Sequence, residues 1–223
     1  MSVIDREGSI EMNVTIIGTG NMAGGIATRL LAGGHDVTVL GTEADKAKEL
    51  AGELSDSGGS VGSGTTSDPI EGEVVVLAVP YEAAAPLVQE YGEGLSGKVV
   101  VDITNPVDWE SMDGLVTPPD SSAAEEIQKS APEGARIVKA FNTTFAATLV
   151  DSQVAAHPLD VFVAGDDEEA KETVARLVRD GGLVAIDVGA LRRARELERL
   201  GFLGITLQEP LGLDFQSTWK LVN

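Results

Sequence analysis

The sequence predicts a doubly wound α/β fold with a mostly parallel sheet. Three observations carry this. Short apolar or β-branched runs alternate with helical patterns of about 10–15 residues, the signature of βαβ units. Residues 74–79 form an unbroken apolar run, as in a parallel strand covered on both faces. No shift in composition marks a second large domain in the 223 residues, a length that suits one domain with a small appendage.

The elements follow in order. Residues 1–11 read as a loose extension, and Met12 stands directly before the first strand. Residues 12–18 contain Val14, Thr15, Ile16 and Ile17, a short β-branched strand. Residues 21–32 place Met22, Ile26 and Leu30 on one helical face, and Gly33 and Gly34 end that helix. Residues 37–40 are the second strand. Residues 43–54 form a charged helix with Ala47, Leu50, Ala51 and Leu54 inward. A short edge strand is expected near Val61 and a buried one at 74–79. A helix at 82–91 and a strand at 98–103 come next. Pro106, Pro118 and Pro119 make residues 105–121 a loop. Ser121 or Ser122 opens a helix to Ser130, with Glu125 in its first turn. Strands at 137–141 and 161–164 follow. Then come a helix at 167–179 capped by Asp166, a strand at 183–188 and a last clear helix at 191–200. The expected organisation is an extension (1–11), the main domain (12–200) and a C-terminal segment (201–223).

Composition removes several function classes. Without cysteine there is no disulfide, no thiolate metal site and no cysteine nucleophile. His35 and His157 are the only histidines, too few for a multi-histidine metal centre. The net charge of −20 repels nucleic-acid backbones and anionic membranes. No apolar run is long enough to cross a bilayer, and the polar N-terminus does not read as a signal peptide. A cytoplasmic protein with a small-molecule partner is expected.

The strongest local signal is Gly18-Thr19-Gly20-Asn21-Met22-Ala23, which fits G-x-G-x-x-G/A between a strand and a helix. Gly18 permits the tight turn and Gly20 lets backbone approach a pyrophosphate. Ala23 lets helix and strand pack closely. The helix N-terminus offers its free N–H groups to the phosphates. Cofactor choice is read at the end of the second strand, where Thr42 and Lys46 favour the 2′-phosphate of NADP and Glu43 opposes it. NADP(H) is the expected cofactor and NAD(H) the alternative. The other strand ends place Val79, Pro80 and Tyr81 against the adenosine or ribose. Asn142 and Thr143 fall nearest the nicotinamide, with Asn105 in the same cleft. Lys139 reads as a strand residue facing solvent at an edge. His35 and His157 read as structural and surface residues, and no nucleophile elbow occurs. Hydride transfer between two bound groups needs no acid–base side chain, so no catalytic residue is assigned.

Several stretches carry a family resemblance. They are Ile17-Gly18-Thr19-Gly20-Asn21-Met22, Val79-Pro80-Tyr81-Glu82, Asp102-Ile103-Thr104-Asn105-Pro106 and Val138-Lys139-Ala140-Phe141-Asn142-Thr143, with further matches at 121–125, 163–167 and 187–198. The chain resembles the NADPH-dependent oxidoreductases of the 8-hydroxy-5-deazaflavin (coenzyme F420) type. It is also similar to the NADPH-binding domain of the STEAP ferric reductases. The resemblance implies a Rossmann dinucleotide-binding domain with a short C-terminal dimerisation segment. It also implies that Thr19, Asn21 and Met22 join Gly20 around the pyrophosphate. The family commonly carries Ser-Arg where this chain has Thr42-Glu43. Arg192, Arg193 and Arg195 are the basic cluster available to an anionic deazaflavin, with pairing to Glu196 and Glu198 as the alternative.

The expected function is hydride transfer between NADP(H) and a deazaflavin or flavin-like acceptor. The alternatives are a ferric or free-flavin reductase and a non-catalytic dinucleotide-binding redox sensor. A pyrroline-carboxylate or hydroxy-acid dehydrogenase would need a far larger helical substrate domain. The many apolar residues after 201, including Phe202, Leu203, Ile205, Leu211, Phe215, Trp219 and Leu221, predict a homodimer with this tail at the interface.

Overall fold

The computed structural model describes residues 11–222. The expected extension lies outside the described residues except for Glu11. The first half runs β1 (Asn13–Ile17), α1 (Asn21–Ala32), β2 (Asp36–Gly41), α2 (Ala44–Glu53), β3 (Val61–Thr65), β4 (Val74–Leu77), α3 (Tyr81–Tyr91) and β5 (Val99–Asp102). The second half runs α4 (Ala123–Ser130), β6 (Arg136–Lys139), α5 (Ala146–Asp151), a small hairpin of β7 (Gln153–Val154) and β8 (His157–Pro158), β9 (Asp160–Gly165), α6 (Glu168–Asp180), β10 (Val184–Gly189), α7 (Ala194–Thr206) and α8 (Gln208–Leu211).

The main sheet has the order β10-β9-β6-β5-β4-β1-β2-β3. From β3 to β6 every pairing is parallel. This is the doubly wound Rossmann order, with a crevice where the order reverses between β1 and β4. The two strands beyond β6 depart from a uniformly parallel sheet. β9 runs antiparallel to β6, with Val138 opposite Gly165 and Lys139 opposite Ala164, and β10 runs parallel to β9.

Two apolar layers cover the sheet. One face packs Ile26 and Leu30 of α1, Ala47 of α2, Leu149 of α5 and Val174 of α6 against Val14, Ile16 and Val76. The other packs Ala84 and Val88 of α3 and Ala124 and Ile127 of α4 against Ile17, Val75, Leu77 and Val100. Burial on both faces explains why β4 and β5 have no exposed position. α1 and α5 approach closely because Gly25 has no side chain; a Cβ there would lie 2.9 Å from the Ala146 carbonyl oxygen.

Other details differ from the sequence reading. Helix α5 and the 153–158 hairpin were not expected; α5 has only six residues, too few for a helical period to show. The cap of α6 is Asp167, whose carboxylate accepts from Ala170 N at 2.7 Å. Asp166 instead accepts from Leu191 N at 2.9 Å. At α4 the cap is Ser122, which accepts from Glu125 N. The last long helix continues to Thr206 without a break at residue 200. Beyond it the tail returns over its own sheet. Trp219 packs beside Phe162, Ala164 and Leu197. Asp160 holds the tail end by pairing with Lys220 and accepting from Leu221 N.

Candidate functional site

The glycine turn sits at the switch point. Gly18 has φ +127°, and a Cβ there would lie 2.1 Å from the Ala78 carbonyl oxygen, so only glycine lets β1 turn against β4. Gly20 differs. Its backbone is extended and a Cβ built on it meets nothing within 4 Å. It is the N-cap of α1 and provides no side-chain cap, and no acidic residue stands in the first turn. The first amides of α1 are therefore open toward solvent and free to take an anion. Helices α2 and α3 also begin without a side-chain cap, at Glu43 and Pro80. These features fit a dinucleotide pyrophosphate.

The predicted cofactor residues fall into two groups. Thr19, Gly20, Asn21 and Lys46 line one groove of about 760 Å³, which continues past Gly24, Leu50 and Ala146 between α1, α2 and α5. Thr42 is exposed at the start of α2. Lys46 is ion-paired with Glu43 at 2.6 Å, both side chains largely exposed. Met22 is half-buried against the first core layer and Val79 against the second. Pro80 is exposed and Tyr81 half-buried. Burial pushes the Tyr81 hydroxyl pKa up, and the Glu126, Glu198 and Asp102 carboxylates add to that rise.

The second group lies beyond β5 and β6. Asn105 and Asn142 hold each other: Asn105 Nδ2 donates to the Asn142 carbonyl at 2.8 Å, and Asn142 Nδ2 donates to Asn105 Oδ1 at 2.9 Å. Asn142 Nδ2 also donates to the Leu197 carbonyl of α7 at 2.9 Å. Asn142 Oδ1, Thr143 Oγ1 and Thr104 Oγ1 are buried without a hydrogen-bond partner in the protein. Such atoms are costly unless a ligand or water completes them, so this cluster is equipped to receive polar groups.

Beneath that pair lies a charged cluster that the sequence reading missed. Lys139 is fully buried, which corrects its expected place at a solvent edge. β9 pairs along the side of β6 where the sequence suggests an edge. The three ammonium donors meet three acceptors: Asp102 Oδ2 at 2.8 Å, Glu198 Oε1 at 2.9 Å and the Thr104 carbonyl at 2.5 Å. Burial alone would lower the Lys139 pKa, but Asp102 and Glu198 outweigh it and the net shift is upward. Burial pushes Glu198 up, against the pull of Lys139. Glu198 also accepts from Ala123 N at 2.9 Å, capping α4 from a distant helix. The available signal was a lysine at the end of one apolar strand beside an aspartate at the end of another.

Two of the arginines pair with carboxylates, Arg193 as the alternative expected and Arg195 with a partner that was not expected. Arg195 makes a bidentate pair with Glu125 at 2.7 and 2.8 Å, and Arg193 lies 3.9 Å from Glu196. His35 is buried, accepting from Met12 N and lying 3.3 Å from Asp180. His157 is exposed on β8.

Several known proteins are similar to this chain in sequence or fold. Residues 13–106 match the family described as NADP oxidoreductase, coenzyme F420-dependent. The F420-dependent NADP reductase of Methanocaldococcus jannaschii is 33% identical over 204 residues, covering 85% of this chain and 89% of that protein. The rat metalloreductase STEAP3 is 31% identical over 89% of this chain but only 39% of its own length. Among solved structures, a candidate F420-dependent NADP reductase of Arthrobacter sp. FB24 superposes with a TM-score of 0.81 at 29% identity, covering 95% of this chain and 100% of that one.

Proposed function

The chain belongs to the family of F420-dependent NADP reductases, and on that premise we propose that it passes hydride between NADP(H) and the deazaflavin coenzyme F420. The carrying observation is the uncapped glycine turn at the switch point, open at Gly20. When bound, NADPH supplies the hydride. The protein's part is to hold two rings in register and keep water from between them. Gly18, Thr19, Gly20, Asn21 and Met22 hold the pyrophosphate. Val79, Pro80 and Tyr81 border the adenosine side. Asn105, Asn142 and Thr143 shape the end where the rings meet.

Anaerobic turnover of NADPH and NADH against coenzyme F420, riboflavin and ferric chelates tests the reading. Rapid bleaching or recovery of deazaflavin absorbance supports it. Turnover of ferric chelates or riboflavin alone would instead support a reductase of the STEAP type, a second reading favoured by the 31% identity to that protein. Binding without turnover would mark a sensor.

Cofactor choice turns on residues 42–46. Lys46 is already engaged by Glu43, so a 2′-phosphate must compete with a carboxylate for it. Glu43→Arg is expected to tighten NADP(H) by about 1–2 kcal/mol, the scale of a charge-assisted hydrogen bond. Fluorescence titration checks this; unchanged affinity would place residue 43 away from the 2′-phosphate.

The protein is expected to act as a cytoplasmic homodimer. Trp219 is used internally, yet Leu203, Leu211, Phe215 and Leu221 stay 47–65% exposed on one terminal segment, an arrangement that favours self-association. Light scattering at micromolar concentration in moderate salt should give a dimer mass; a clean monomer would refute it.

A further inference from the structure

We propose that Glu198, held by Lys139, is a positioning residue for the acceptor: it docks α7 so that the Asn105–Asn142 pair keeps its place at the mouth of the cleft. The inference rests on the hydride-transfer reading above.

One turn of α7 makes every contact in question. Leu197 presents its carbonyl to Asn142 Nδ2 at 2.9 Å. Glu198 reaches down to Lys139 at 2.9 Å and across to the first amides of α4. Gly201 lies so close to the pair that a Cβ on it would stand 2.4 Å from Asn105 Oδ1 and 3.0 Å from the Asn142 carbonyl oxygen. Lys139 ties the same turn to the loop after β5. Its ammonium binds the Thr104 carbonyl, and Asp102 accepts from Thr104 N at 2.8 Å. A shift of α7 would therefore move Asn105 and Asn142 together.

Apolar side chains would hold a helix on a sheet at least as firmly as buried ions do. What a fully satisfied charge cluster adds is one geometry rather than several. The glycine turn stands apart from this arrangement: β1, α1 and Ala78 fix it, and among the described residues no backbone hydrogen bond outside helices and strands joins it to α7. The cluster thus governs the acceptor end of the cleft and leaves the phosphate end alone.

The test is Glu198→Gln in the full-length protein, with NADP(H) affinity by titration, KM for coenzyme F420 and thermal midpoint measured side by side. The expected result is a KM for coenzyme F420 raised about tenfold or more with NADP(H) affinity changed less than about twofold, because misplacement of an orienting group is felt only where it orients. Equal weakening of both ligands, or an unchanged KM in a folded variant, overturns the proposal. If Glu198→Gln fails to fold, Gly201→Ala leaves the charges intact while displacing Asn105, and it must show the same split. Wild-type protein that does not turn over coenzyme F420 overturns the functional reading instead. Amide hydrogen exchange over residues 103–106 and 141–144 then judges the docking: faster exchange in Glu198→Gln supports it, and unchanged exchange refutes it.

Discussion

Gly20→Val is expected to lower NADP(H) affinity on the order of 100-fold, about 2.7 kcal/mol, while the protein remains folded. The two glycines of the turn fail differently, and that makes the experiment diagnostic. Gly20 has φ −83° and ψ 178°, a conformation valine adopts freely, and the space around its missing Cβ is empty. The folded protein loses only the helix N-cap preference of glycine, about 1 kcal/mol. The branched side chain would occupy the volume a pyrophosphate needs to reach the α1 amides. At Gly18 the backbone itself is left-handed and Ala78, just past β4, is in the way, so substitution there attacks the fold. Titration of NADPH fluorescence together with a melting curve separates the two. Undiminished affinity in Gly20→Val would remove the dinucleotide from this turn.

Lys139→Met is expected to destabilise the protein by about 3–5 kcal/mol, the cost of leaving buried charge unpaired. Methionine fills much of the same volume, so loss of packing is a minor part. Asp102 and Glu198 would be left facing each other, with only the amides of Thr104, Ala123 and Ala124 to satisfy them. The pH dependence carries a sign. In the wild type the raised pKa of Lys139 means that its stabilising contribution is complete below the unfolded value of 10.5 and fades as pH climbs through the folded one. In the variant that contribution is gone. Glu198, whose pKa burial already raises, gains by protonation, so the deficit should shrink as pH falls. Urea denaturation at neutral and mildly acidic pH checks both points. A deficit under about 1 kcal/mol would mean that water reaches the carboxylates.

How much of this was legible follows from how local each signal is. The glycine turn and its two flanking elements were readable because strand, turn and helix are contiguous and each glycine has a steric reason. The Ser122 cap was readable to within one residue, and the α6 cap missed by one, because adjacent aspartates at 166 and 167 offer the same chemistry. Lys139 was misread because its environment comes from Asp102, Glu198 and a reversed β9, none of which is near it in the chain. The ion-pair partner of Arg195 was missed for the same reason: Glu125 is 70 residues away. Of the candidate site, the phosphate end was legible, while the bonding of Asn105 to Asn142 required knowing that β5 and β6 are neighbours.

The reversal of β9 and β10 bears on the order in which the protein is made. Because β10 runs against β6, the chain leaves it heading away from the cleft, with Gly189 level with Ala164 and Lys139, and α7 then brings Leu197 and Glu198 to Asn142 and Lys139. The Asn105–Asn142 end is therefore completed by a helix that follows β10 in the chain. The glycine turn itself is set by β1, its neighbours β2 and β4, and Ala78, all between residues 13 and 78. The other end waits for contacts spanning 55 and 75 residues. A nascent chain can thus hold the first half of its site while the second is still being translated.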